Sequence, residues 1–382
     1  MLKTNQWSYW ERKEILEEID LVIVGAGIVG YSTALAFQEN NPTAKILVIE
    51  RGLLPSGAST KNAGFACFGS ASEIYDDIQS FGEETVWKTV ELRWKGLQAL
   101  RNRIGDKGLK LHMNGSWDLF TESEMDTFEA VSPQITYYNE RLEEITGERN
   151  VFSIDSDVQQ QFGFNHIETS IYNRLEGQID TGSMMTRFHQ LVVSKGIHVL
   201  FGCEVDSIHE KENGAVLHTH LGSIESKKVA VCTNGFARQL LKEDVEPARA
   251  QVLITKPIEG LKINGTFHYQ KGYFYFRNID NRILFGGGRN LAFEEETTST
   301  IATSERIMYA LHEILSEVIL PQTAYEVDHS WAGIMGVGSV KKPIIKHISP
   351  SVYCGIRLGG MGVAIGSLVG EELAKMISTN EE

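Results

Sequence analysis

The sequence predicts an α/β fold in which a parallel-sheet domain is interleaved with a second domain built on an antiparallel sheet. Three observations predict it. "IDLVIVGAGIVGYSTALAFQENNPTAKILVIE", Ile19–Glu50, reads as an apolar run, a Gly-rich turn, a helix-length stretch, a second apolar run and an acid. "QVLITKPI", "GYFYFRNI" and "NRILFGGGRN" follow one another in the second half with turn signals between them. The chain has 382 residues at 42% hydrophobic content, long for one domain and short for three.

The first apolar run is a strand buried on both faces, as parallel strands are. Gly25, Gly27 and Gly30 follow it as GxGxxG. Gly25 allows the tight turn, Gly27 the close approach of backbone to a pyrophosphate, and Gly30 the packing of helix on strand. The helix, from Ile28 and Val29 to about Glu39, offers its N-terminal N–H groups and positive dipole end to that pyrophosphate. "AKILVIE" is the second strand. Glu50 ends it, 20 residues beyond Gly30, placed to accept from ribose hydroxyls, and Arg51 follows. This unit binds a dinucleotide. An acid at position 50 disfavours NADP, but the unit by itself leaves FAD and NAD open.

The next segment, "RGLLPSGASTKNAGFACFGS", is a small polar loop containing Ser59, Thr60, Lys61, Asn62, Ala63 and Gly64. Its hydroxyls and backbone N–H groups suit a ligand that runs beyond the pyrophosphate toward a flavin ring. An ordinary surface loop would have the same composition. Near the C-terminus, "VYCGI" reads as a strand, "RLGGMG" as a second Gly-rich turn, and "VAIGSLVGEELAKMI" as an amphipathic helix. Gly359, Gly360, Met361, Gly362 and Val363 thus sit at a helix N-terminus, which favours negative charge. A close helix–strand crossing would also account for these glycines.

Composition excludes several classes. A net charge of −14 argues against a nucleic-acid partner. No run approaches the roughly 20 apolar residues of a membrane span. The first 20 residues contain no apolar stretch of the about 7–15 residues a signal peptide needs, so none is expected. Cys67, Cys203, Cys232 and Cys354 are scattered without a CxxC pair. This fits reduced thiols in a cytoplasmic protein and offers no metal site.

Taken together, these segments resemble the D-amino-acid-oxidase-like (DAO) FAD-dependent oxidoreductases, the group of glycine, sarcosine and γ-glutamylputrescine oxidases. The resemblance spans nearly the whole chain. "GASTKNAGF" is similar to the family's loop beside the flavin, and "LEGQIDTGSMMTRFHQLVVSKGIHVLFGCEVDSI" to its middle segment, where Val205 matches an adenine-contacting position. "KKVAVCTNGFARQL" is similar to its strand and turn, with Thr233, Asn234 and Gly235 at the turn. "HSWAGIMGVGSVKKPIIKHISPSVYCGIRLGGMGVAIGSLVGEELA" resembles its flavin-binding end.

The resemblance implies a Rossmann-like FAD-binding domain of the glutathione-reductase/DAO type, formed by residues 1–75, 150–240 and 330–382. Residues 76–149 and 241–329 form the substrate domain over the flavin. There is no second GxGxxG with its own strand, helix and acid, which argues against a reductase that feeds NAD(P)H electrons to FAD. The implied activity is oxidation of an amine or amino-acid-like substrate by hydride transfer to flavin, with oxygen or an electron carrier as acceptor. Two other readings stay open, an FAD-dependent 2-hydroxy-acid dehydrogenase and a non-catalytic FAD-binding protein or complex subunit. At strand alternation Tyr273, Tyr275 and Arg277 share one face, a candidate pocket lining or a solvent face.

Three departures bear on substrate and acceptor. Met335 stands where many relatives place a carboxylate-binding Arg, so another arginine is needed. Arg357, before the C-terminal glycine turn, is ranked ahead of Arg289, with an ion pair as its alternative role. Gly333 aligns with the flavin-linking Cys of some relatives, so FAD is expected without a covalent bond. Leu284 aligns with a lysine that relatives use toward oxygen.

Overall fold

The computed structural model describes residues 7–379, so the first six residues of the segment judged not to be a signal peptide lie outside it. Two eight-stranded sheets carry the chain. The first runs Ile344–Ser349, Val352–Ile356, Gly222–Val231, Ile19–Val24, Ile46–Ile49, His198–Leu200. An antiparallel ribbon, Gly214–Thr219 and Val205–Lys211, extends from Gly222–Val231. Val22 lies parallel to Val229 on one side and to Leu47 on the other. Both faces of these central strands are covered, which is why they read as unbroken apolar runs.

On one face, the helices Ile28–Asn40 and Gly362–Thr379 pack backbone to backbone. A Cβ on Gly370 would stand 2.7 Å from the Val29 carbonyl oxygen. The long helix Glu83–Ile104 closes on the same layer through Gly96, where a Cβ would meet the Ala364 carbonyl oxygen at 2.2 Å. The opposite face buries Leu47, Leu217 and Ile356.

The second sheet runs Val327–Val337, Glu246–Thr255, Arg282–Gly287, Phe274–Ile279, Thr266–Tyr269, Ser116–Phe120, Thr169–Asn173, Phe152–Asp155. The three strands expected from the sequence are present and antiparallel, with Ile254 opposite Leu284 and Phe276 opposite Phe285. Phe267 stacks on Phe276 at 4.7 Å and on Trp117 at 5.1 Å, at the centre of an aromatic core.

The segmentation differs from expectation. Phe152–Asp155, Thr169–Asn173 and Val327–Val337 all pair into the second sheet, although the sequence assigned 150–240 and 330–382 to the first domain. The chain passes between sheets after Asn173 and after Val337. Phe152–Asp155 pairs with its near neighbour Thr169–Asn173, but Thr169–Asn173 and Val327–Val337 reach the sheet through Ser116–Phe120 and Glu246–Thr255, remote in sequence, and nothing local encodes those pairings. The polar loop also differs, since Ala58–Lys61 is a helical turn. The Asn62 amide closes it by donating to the Ala58 and Ser59 carbonyls at 3.0 and 2.9 Å.

Candidate active site

A cleft of about 800 Å³ is lined by residues of both sheets. Its floor is the first Gly-rich turn. Gly25 has φ +109°, and a Cβ on Gly30 would stand 1.9 Å from the Gly25 carbonyl oxygen, so only glycine fits there. The Ile28 N–H at the helix start donates to Ser59 Oγ at 3.0 Å, and Gly27 faces the same hydroxyl.

Glu50 is buried, and its role is wider than the sequence suggested. One carboxylate oxygen accepts from the Ala26 N–H at 3.0 Å and the other from the Gly52 N–H at 2.9 Å. It therefore locks the turn it also faces. Arg51 lies 3.7 Å above the Phe236 ring. Along the cleft from there stand Val205, Thr233 and Asn234. Thr233 Oγ1 is buried with no hydrogen-bond partner. Asn234 has φ +46°, and its Oδ1 accepts from the Leu358 N–H at 3.2 Å, tying this turn to the C-terminal one. There Gly359 and Gly360 have φ +58° and +85°, followed by Met361 and the helix that begins at Gly362 and Val363. Asn62, Ala63, Gly64 and Gly333 complete this side.

The facing wall comes from the second sheet and the helix Ala71–Phe81. Tyr273, Tyr275, His268, Lys271, Arg289 and Phe293 line it. Glu73, Asp76 and Asp77 line it from the helix, and cations hold each of them. Lys341 bridges Asp77 at 2.8 Å and Glu73 at 3.1 Å, Arg93 reaches Glu73 at 3.1 Å, and Lys271 reaches Asp76 at 2.9 Å. Burial pushes the Glu73 carboxyl up, but Arg93 and Lys341 outweigh it and hold it at about 2.

Five residues offered by the sequence as site residues do not line the cleft. Gly30 packs helix on strand, as its spacing implied. The Thr60 hydroxyl turns inward and donates to the Pro55 carbonyl at 2.7 Å. Gly235 is a contact glycine, because a Cβ there would stand 2.3 Å from the Met335 carbonyl oxygen. Arg357 is the main correction. It donates to the Lys342 carbonyl at 2.9 Å and pairs with the Asp244 carboxylate at 2.5 Å, on a backbone with φ +62°. Arg277, expected beside the two tyrosines, is buried and donates to the Ala63 and Ile179 carbonyls, bracing the segment behind the cleft.

Arg289, ranked behind Arg357 in the sequence, is the one of the two that lines the cleft. Positive φ at Gly287 and Gly288 turns the chain, and the Gly288 N–H donates to the Tyr273 carbonyl at 2.9 Å. The Arg289 guanidinium lies 5.0 Å from the Phe293 ring, with a buried Nε that has no partner. Burial lowers its pKa. The triple glycine at 286–288 was the only signal for this turn in the sequence.

Two glycine-bounded helix N-termini, a buried carboxylate beside the first and an unsatisfied buried hydroxyl between them define a dinucleotide-dependent enzyme. The chain belongs to the FAD dependent oxidoreductase (DAO) family, whose model matches residues 20–376. Its cofactor is FAD, and the glycine cradle, the two helix starts and the free Thr233 Oγ1 fit it. The chain is similar to the probable oxidoreductase OrdL of Haemophilus influenzae, 21% identical over 96% of this chain and 84% of that protein. Among solved structures it resembles L-proline dehydrogenase from P. horikoshii, with TM-score 0.75, 19% identity and 96% and 95% of the two chains covered. It also resembles glycine oxidase from Geobacillus kaustophilus, with TM-score 0.73, 20% identity and 96% of each chain covered.

Proposed function

We propose that this flavoenzyme oxidises an amino-acid-like amine whose carboxylate is held by Arg289. The observation that carries this reading is the unpartnered Arg289 Nε in the cleft wall, beside the Phe293 ring. A carboxylate removed from water needs a cation, and the Met335 position, apolar here, supplies none. The names of two structural neighbours, glycine oxidase and L-proline dehydrogenase, support the same substrate class.

FAD, when bound, supplies the two-electron acceptor chemistry. The chain's residues bind, orient and dry the site. Gly25, Gly27, Ile28 and Val29 would hold the diphosphate, with Ser59 fixing the helix start. Glu50, Arg51 and Val205 would hold the adenosine end. Thr233, Asn234 and Gly359–Val363 would hold the ring end, with Asn62, Ala63, Gly64 and Gly333 beside it. The N-terminus of the helix from Gly362 stabilises negative charge there. Gly333 offers no side chain for a covalent link, so the cofactor is released by denaturation. Tyr273 and Tyr275 form a wall against which the substrate lies, and Arg289 fixes one end of it. The substrate nitrogen enters as the free amine.

Leu284 is buried beside Ala63 and Val252 in an apolar cluster, which supports an electron carrier rather than oxygen as acceptor. Four unpaired, buried cysteines support a reducing, cytoplasmic setting. No helix of the described residues is long and apolar enough to cross a membrane.

The test is an anaerobic screen of amino acids, N-methyl amino acids, diamines and 2-hydroxy acids, read as bleaching of the flavin band. Bleaching by an amino acid or N-alkyl amino acid is expected. Bleaching by 2-hydroxy acids alone would overturn the amine reading, and bleaching by uncharged amines alone would remove the role of Arg289.

A further inference from the structure

Three side chains of metal-ligating chemistry converge on the cleft wall. Cys67 follows the strand Phe65–Ala66, Glu176 precedes the paired strand Gly177–Gln178, and His268 lies on Thr266–Tyr269. Their ligand atoms all lie within 4.8 Å of one another. Cys67 and His268 line the cleft, and the Glu176 side chain is 0% exposed.

The hydrogen bonding leaves this cluster open. Glu176 Oε1 accepts from the Phe68 and Gly69 N–H groups at 2.6 and 2.9 Å. Glu176 Oε2 has no partner, nor has His268 Nε2, and the two stand 4.0 Å apart. That is too long for a hydrogen bond, yet buried polar atoms need partners. Cys67 Sγ makes long contacts, 3.9 Å to the Gly177 carbonyl oxygen and 3.9 Å to Thr266 Oγ1, and faces the Glu176 carboxylate and the Ser116 hydroxyl.

We propose that Cys67, Glu176 and His268 form a binding site for a divalent d-block cation of the zinc type. One sulfur, one imidazole nitrogen and one carboxylate oxygen are the donors such an ion takes. Tetrahedral zinc, with bonds of about 2.0–2.3 Å, sets its ligand atoms roughly 3.3–3.6 Å apart. From a separation of up to 4.8 Å, a pair of ligand atoms closes by roughly 1.2–1.5 Å at most, shared between two side chains, to reach it. Burial pushes the thiol well up, raises Glu176 to about 7 and lowers His268 to about 4. A cation would offset the desolvation of the ionised thiol and carboxylate. The site ties the Phe65–Ala66 and Gly177–Gln178 ribbon to the second sheet beside the cleft.

The test uses the FAD-loaded protein, exposed to zinc, freed of loosely held metal by a weak chelator, and assayed for metal by mass spectrometry. About one zinc per chain is expected. Cys67→Ser and His268→Asn each bring it to background while FAD per chain stays constant. Zinc X-ray absorption on the unmodified protein needs no variant, and it should show one sulfur among lighter ligands. Zinc at background in the unmodified protein would overturn the proposal and leave a proton or water between Glu176 and His268. Zinc retained by both variants, or a shell without sulfur, would place the metal elsewhere and equally overturn it.

Discussion

Arg357 donates to Asp244 twice, to its main-chain carbonyl at 3.0 Å and to its carboxylate at 2.5 Å, and both bonds lead away from the cleft. The arginine fastens the C-terminal glycine turn to the loop around residue 244. Arg357→Met should therefore lower the melting temperature while leaving bound FAD and substrate KM unchanged. Differential scanning fluorimetry and steady-state kinetics read the two effects separately. A raised KM at unchanged melting temperature would return Arg357 to the substrate.

Arg289 carries the opposite expectation. Losing a hydrogen bond to a charged group costs about 1.5–3 kcal/mol, so Arg289→Met should lower kcat/KM for a carboxylate substrate roughly 10–150-fold. FAD content should not change. Unaltered kinetics with the best substrate of the screen would leave Arg289 as a surface partner of Phe293.

Glu50 both braces the Gly-rich turn and faces the cleft, so two variants are needed. Glu50→Gln keeps one acceptor oxygen and should weaken FAD binding modestly. Glu50→Ala removes the partners of Ala26 and Gly52 and should weaken it by about 1.5–3 kcal/mol, with a lower melting temperature as well. Equal FAD dissociation constants for all three proteins would show that the carboxylate is not needed.

Gly30→Ala places a methyl group 1.9 Å from the Gly25 carbonyl oxygen. Backbone must move, at a cost of about 1–3 kcal/mol or more, and the displaced turn should release FAD. The readout is flavin absorbance per chain after gel filtration. Full occupancy would mean that the helix can step back without disturbing the cradle.

Asp118 predicts a pH dependence. Its Oδ2 accepts from the Ser72 N–H at 2.9 Å, its Oδ1 has no partner, and burial raises its carboxyl from 3.8 to about 6. The folded state therefore favours the protonated form. This contribution is fully present below pH 3.8 and is lost as pH rises through 6, about 3 kcal/mol in all. Urea titrations of Asp118→Asn and the unmodified protein should differ least at pH 4 and increasingly up to pH 7, with the variant gaining relative stability. A constant difference would show that Asp118 titrates normally.

The sequence by itself determined the first sheet's centre, both glycine turns and three adjacent strands of the second sheet. Each of these is a local pattern. A strand buried on both faces must be apolar throughout, and a turn under a helix start must lack side chains, so spacing and residue type carry the information. The dinucleotide site was legible for the same reason, since the turn around Gly25 and the acid at Glu50 lie on one continuous stretch, whereas FAD rather than NAD followed from the resemblance along the whole chain. What only the tertiary structure decided depends on partners far apart in sequence. Met335 marked the loss of one arginine, but whether Arg357 or Arg289 faced the cleft turned on Asp244, a residue 113 positions away. The strands at Thr169–Asn173 and Val327–Val337 joined the second sheet because their partners, Ser116–Phe120 and Glu246–Thr255, lay there, and pairing energy is not written in either strand alone. Cys67, Glu176 and His268 show no metal-binding spacing, because three separate segments bring them together only when the ribbon meets the second sheet.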